Sequence, residues 1–340
     1  MALLFADGFD HYSTGDLTRK WSATSTSTPI ISTANPRYGA QHLRSSSLST
    51  QYLIKAVPQP VTLIAGVAVN PAAFPTGGNS SLLTFLDGTQ VQASLRVTGS
   101  GLLTVIKGSS TVLATSTTGI SAGNYSYVEM KVLISSTVGT VQVKVNGTTV
   151  INATGLNTQS GSNTYIDGVF LGPHISSGNF NTDYDDFYIC DTTGSTNNDF
   201  LGDVRIEALY PSGAGSSTTW TPSTGSNYTC VDEATANITD YVTSTANDQI
   251  DTYAFGDLAE AAGSVKGIQI NALAQKTDTA VKHIALIDRT ASTDHISSDI
   301  ALSTSWQYVQ QIVETDSGNG GIAWTVANVN AAQFGVKSRA

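Results

Sequence analysis

Residues 181–191, NTDYDDFYICD, decide how the chain divides. They read as an acidic turn running into a short strand, with Phe187 and Ile189 on one face and Tyr188 and Cys190 on the other. The next eight residues, TTGSTNND at 192–199, contain no apolar side chain and carry the marks of a linker. The strand is therefore expected to finish one all-β unit, with a second beginning at Phe200. In domain terms this gives 1–192, a linker at 193–202, and 203–340. The closing strand is expected to return and pair with the N-terminal run 3–12, LLFADGFDHY.

Working outward, 340 residues suit two domains of ordinary size. Charged residues make up only 12% and apolar ones 40%, which describes short strands joined by many polar turns rather than disorder. The net charge of −10 and a pI near 4.7 argue against a nucleic-acid or anionic-membrane binder. Cys190 and Cys230 make no disulfide framework, although a single bridge between them is conceivable. The N-terminus has no basic segment of the kind a signal peptide needs, and nothing approaches the ~20 apolar residues of a membrane span.

Strand signals recur along the first half. Residues 61–69, VTLIAGVAV, form an apolar run whose Gly66 weakens a helical reading. Residues 91–97 alternate, with Val91, Ala93, Leu95 and Val97 inward and Gln92, Ser94 and Arg96 outward. Residues 125–134 place Val128, Met130, Val132 and Ile134 opposite Glu129 and Lys131, and Asn146-Gly147 is a strong hairpin signal. Residues 13–50 read as long loops. In the second half, strands are expected at 204–210, 228–231, 266–276, 281–288, 306–314 and 333–337, with 211–225 a polar loop carrying Trp220. Thr325 is placed to cap a single helical turn. The expected fold class is all-β: one antiparallel sandwich followed by a second.

The stretch 125–152, YSYVEMKVLISSTVGTVQVKVNGTTVIN, resembles the concanavalin A-like, laminin-G-type jelly roll. IDGVFLG at 166–172 and YDDFYICD at 184–191 are similar to that family's closing strands, and FADGFD at 5–10 to its opening one. The remainder resembles the C-terminal part of tailed-bacteriophage virion proteins, through YPSGAGSSTTW (210–220), NYTCVDE (227–233), AQKTD (274–278), VETD (313–316), AWT (323–325) and NAAQFGVK (330–337). These resemblances imply a non-enzymatic protein of the virion surface, a capsid decoration, head fibre or tail fibre, assembled in the host cytoplasm. Its partners would be other virion proteins and further copies of itself, a trimer being favoured, with the lectin-like domain facing host surface polysaccharide. The alternatives are a tail receptor reader and a polysaccharide depolymerase.

Glycoside hydrolysis needs two carboxylates flanking the bond. The hydrolase relatives present them as Glu-x-Asp-x-x-Glu, which this chain lacks, and Glu129 reads as a solvent-facing strand glutamate. Asp183, Asp185 and Asp186 crowd one turn and are the candidates for a Ca²⁺ site, against the simpler reading of local Asx-turn bonds. The histidines form no HExxH pair, and there is no Gly-x-Ser-x-Gly elbow or nucleotide loop. Trp21, Tyr38 and Tyr184, in or beside expected loops, are the candidates for stacking on a sugar. Trp220, Trp306 and Trp324 are expected in core or subunit contacts.

Overall fold

The structure, a computed structural model, describes residues 2–46, 50–178, 180–260 and 262–340. Residues 47–49 of the expected loop region lie outside the described residues. The chain is all-β and divides into two compact units, Met1–Ile206 and Glu207–Ala340.

Unit 1 runs β1 (Leu3–Asp7), α1 (Leu17–Lys20), β2 (Ala23–Thr24), β3 (Ile30–Ser32), β4 (His42–Ser45), β5 (Leu53–Ala56), β6 (Thr62–Pro71), β7 (Asn79–Asp87), β8 (Gln90–Thr98), β9 (Leu102–Lys107), β10 (Thr111–Gly119), β11 (Ser126–Leu133), β12 (Gly139–Val145), β13 (Thr148–Leu156), β14 (Gly168–Leu171) and β15 (Thr182–Asp191). The first sheet has the order β13-β12-β11-β6-β15-β4-β3, with β1 also paired to β15. The second has the order β10-β9-β8-β7-β14-β5-β2. All pairings are antiparallel, as in a jelly roll.

The closing strand does what its pattern asks. Phe5 lies opposite Ile189 and Asp7 opposite Phe187, so the apolar face of β15 meets that of β1. On the other side β15 pairs with β6, placing Tyr188 opposite Gly66. A Cβ on Gly66 would stand 2.2 Å from the Tyr188 ring, so the glycine makes room for the tyrosine. Between Asp185 and Tyr188 the register slips, and Asp186 takes φ 52. The Asn146-Gly147 turn joins β12 to β13 with φ 48 and 77, the two positive values such a hairpin requires.

The segment expected to be a free linker is strapped to the first sheet. The Leu201 amide donates to Tyr188 Oη at 3.1 Å and the Gly202 amide to Glu129 Oε1 at 2.9 Å. The Ile206 amide donates to Asp186 Oδ1 at 2.7 Å, and Lys131 pairs with Asp199 at 3.0 Å. Glu129, expected to face solvent, is consequently fully buried. The division between units therefore falls a few residues later than the composition suggests.

Unit 2 contains β16 (Pro211–Thr218), β17 (Thr221–Pro222), β18 (Val242–Thr243), β19 (Ile250–Phe255), β20 (Ile268–Ala274), β21 (His283–Thr290), β22 (Thr293–Ile296), β23 (Ile300–Ala301), β24 (Gln307–Val313), β25 (Thr315–Asp316), β26 (Ile322–Ala323), α2 (Val326–Ala331) and β27 (Gln333–Arg339). The main sheet is β16-β19-β27-β21-β22, with β23 on β21. The β20–β24 ladder supplies Ile270, Val309 and Val313 to a core completed by Ile284, Leu286, Phe334 and Val336 of the main sheet and by Trp324. Residues 204–210 are not a strand, and 211–218 is one. The 227–230 segment is a 3-10 turn. Thr325 caps α2, its side chain accepting from the Asn328 amide. Cys190 and Cys230 are both buried and form no disulfide with each other, so the conceivable bridge is not made.

Candidate functional site

The structure disperses the residues the sequence nominated. Trp21 is 2% exposed, packed edge-on to Phe5 at 5.1 Å and stacked on Phe187 at 5.5 Å. Its indole N–H donates to Asp7 Oδ2 at 3.0 Å, as does the Tyr12 hydroxyl at 2.7 Å. The Lys20 ammonium sits 2.9 Å from Asp7 Oδ1, with both side chains fully enclosed. Burial alone would raise Asp7, but the Lys20 charge beside it carries the carboxyl below its ordinary range. Trp21 is thus a wall of a buried polar network, not a platform for sugar. Tyr184 is buried completely and is corrected likewise. Tyr38 is exposed, with the Arg37 and Arg205 guanidiniums 4.9 and 4.7 Å from its ring centre.

The acidic turn is also corrected as a metal site. Asp183 faces away to Arg44, accepting at 2.7 and 3.0 Å, and to His42 at 3.2 Å. Burial would raise its pKa, but these hydrogen bonds and charges hold it down at about 2. Asp185 accepts from the backbone amides of Arg37 and Asp186, at 2.8 and 2.9 Å. Asp186 takes the Arg37 guanidinium at 2.9 Å and the Ile206 amide. Burial pushes both carboxyls upward, and for Asp185 the neighbouring Asp186 charge adds to it. The three carboxylates are spent on separate donors, and among the described residues no three His, Cys, Asp or Glu side chains gather as metal ligands would.

A different group of residues converges on the outer face of the second sheet. Alternation along β8 sends Ala93 and Leu95 into the core and leaves Ser94 and Arg96 outside. Register then lines up Ile106, Ser94, Thr84, Phe170 and Ile54 across five strands. A slip between β7 and β8 brings Val91 opposite Leu86. Those two, with Phe170, Tyr52 and Ile54, form an apolar patch separate from the main core. Tyr52 stacks on Phe170 at 4.3 Å. The His174 ring meets Phe170 at 4.8 Å and the edge of Tyr52 at 5.6 Å.

Polar groups border this aromatic trio. Thr84 and Ser94 share a 2.9 Å hydrogen bond. Ser94 also lies 3.4 Å from Arg96 Nε. The loop after β14 is tied down by Ser81, whose hydroxyl accepts from the Ile175 amide at 2.8 Å. At the opposite end the loop after β13 is held by Gln92, which donates to the Asn163 and Tyr165 carbonyls and accepts from the Ser160 amide. Ser94, Thr84 and Arg96 are each less than 5% exposed, so the part of this face between the two tethered loops, the trough, is largely covered. His174 Nδ1 is buried with no hydrogen-bond partner among the described residues. Burial, with the Arg96 charge adding, lowers the imidazole below its usual pKa and keeps it neutral at pH 7.

Sequence reasoning read the outward positions of β8 as a plain polar face. Tyr52 and His174 carried no local motif, and Phe170 carried only the strand pattern at 166–172, so nothing in the sequence united them. The signal present was an arginine in mid-strand on that polar face.

The fold is thus that of an all-β, jelly-roll-like sandwich protein. No known family model matches the chain, and no curated protein matches it. Among solved structures it is similar to the cellulose-induced protein Cip1, with a TM-score of 0.42 and 14% identity over 55% of this chain and 96% of that one. It is similar to the alginate lyase Aly36B, with a TM-score of 0.38 and 16% identity over 53% and 91%. A Trypanosoma rangeli sialidase gives 0.36 and 14% over 48% and 27%. At these values no activity carries over to this chain. They do correct the expectation of a non-enzymatic virion protein: what the chain is similar to is a cellulose-induced protein and two glycan-acting enzymes. The reading that it is no enzyme is withdrawn with it.

Proposed function

We propose that unit 1 is a glycan-active sandwich that takes a polysaccharide into the trough of its second sheet. The observation that carries this is the Tyr52–Phe170–His174 group set among Thr84, Ser94 and Arg96. Aromatic faces bury the C–H surface of a sugar, and neighbouring hydroxyl and guanidinium groups take up its oxygens. Tyr52→Ala removes the ring stacked on Phe170 and is expected to weaken binding roughly tenfold, about 1–2 kcal/mol. Isothermal titration with a panel of oligosaccharides measures this. Unchanged affinity in Tyr52→Ala, or no binding by the natural chain, sinks the assignment.

A second reading, that the trough also cuts the chain it holds, is favoured by His174. Its Nδ1, buried with no hydrogen-bond partner among the described residues, is open to accept a proton in the Nε2–H tautomer. Shortening of a bound polysaccharide, followed by release of new chain ends, checks it. A polysaccharide that binds and stays intact leaves the trough a binding site alone.

A further inference from the structure

Arg96 is 4% exposed, yet its N–H groups meet only neutral acceptors: Ser94 Oγ at 3.4 Å, Asn79 Oδ1 at 3.3 Å and the Ser109 carbonyl at 3.3 Å. These lie at or beyond the long end of the hydrogen-bond range. Among the described residues no carboxylate stands within ion-pair distance of it. Arg19, Arg37, Arg44, Arg289 and Arg339 each have one. Holding a guanidinium in a recess without a counter-charge is unfavourable, and the bidentate fork is shaped for a carboxylate.

The charges around Arg96 do not oppose an anion. Asp87 lies at the Gln90 end of β8, six residues along the strand from Arg96 and so roughly 20 Å away. His174 beside it is neutral. The acidity of the whole chain does not oppose an acidic ligand here. Unit 1 carries ten Lys and Arg against twelve Asp and Glu, a net of −2, while unit 2 carries six against fourteen, a net of −8.

We propose that Arg96 binds the carboxylate of an acidic sugar, so that the polysaccharide taken by the trough is a polyuronate. This rests on the trough being a glycan site. The discriminating probe is an oligogalacturonate together with the same oligosaccharide methyl-esterified, which keeps the sugar framework and removes the charge. The natural chain is expected to bind the acid form at least roughly tenfold more tightly than the ester, the scale of one charge-assisted pair. Arg96→Gln is expected to abolish that preference, so that acid and ester bind alike. Arg96→Lys, with a point charge in place of the fork, is expected to keep part of it, and circular dichroism confirms that both variants fold. Equal affinity for acid and ester overturns the role of Arg96 and leaves the glycan site standing. Binding of neither form overturns both. A preference that survives in Arg96→Gln, or equally tight binding of single-stranded DNA, also overturns the proposal.

Discussion

The two units bury their cores to different depths. In unit 1 Leu53, Val67, Phe85, Val128, Met130 and Ile189 are wholly enclosed between two broad sheets. In unit 2 the core includes Ile270 and Val313 at 8% exposure and Val336 at 9%, because its second layer is a single two-stranded ladder. Unit 2 compensates with buried polar clamps. Asp316 receives Asn319 and Asn328, and Asp251 receives the Trp220 amide and the Tyr253 hydroxyl. A wide sandwich is sustained by apolar area, and a narrow one needs its turns tied down. Unit 1 therefore has area to spare for a recessed polar face. Unit 2 has little.

The comparison breaks most sharply at the buried charge cluster that unit 1 builds around Asp7. Asp7→Ala strands Lys20, along with the Trp21 and Tyr12 donors, in the interior. It is expected to cost about 3–5 kcal/mol, measured by urea unfolding. A loss under 1 kcal/mol means the pocket admits water and unit 1 is not the more tightly packed. Trp324→Ala removes the lid of the thinner core and the bond from its indole to the Val313 carbonyl at 3.1 Å. About 3 kcal/mol is expected from unit 2, with Trp21 fluorescence still reporting a folded unit 1. Concerted loss of both signals contradicts two separately stabilised units. The smallest expected effect is at Asp183. Its pKa of about 2 lies below the unfolded value, so its stabilisation is present above the unfolded pKa of 3.8 and is lost as pH falls through about 2. Asp183→Asn is expected to flatten that part of the acid-denaturation curve. An unchanged curve assigns the acid loss elsewhere.

What the sequence made legible was local. The closing strand and its partner, the Asn146-Gly147 hairpin and the Thr325 cap each depend on residues near in sequence or on strict alternation. The strand at Pro211–Thr218 was not legible, because PSGAGSST offers no apolar alternation. It is held by its pairing with β19, where a Cβ on Gly215 would stand 2.4 Å from the Thr252 backbone. The trough was illegible for another reason. Tyr52, Arg96 and His174 come from three well-separated segments, and a one-residue change of register would send Arg96 to the opposite face. Trp21 misled because an aromatic in a polar stretch suits both a ligand platform and a core cover. The buried Asp7 that decides between them is fourteen residues away.

The strap from 193 to 206 has a consequence for anyone who would rearrange this chain. By composition it is the most replaceable piece of the molecule, a run of Ser, Thr, Gly and Asn that invites fusion or cleavage. By bonding it is part of the first sheet's outer wall, delivering three backbone amides to Tyr188, Glu129 and Asp186. A graft joined at residue 193 would leave the buried Glu129 with the Tyr188 hydroxyl but without the Gly202 amide, whereas one joined after Ile206 leaves the wall whole. The natural seam of the protein lies where its sequence looks least like a spacer.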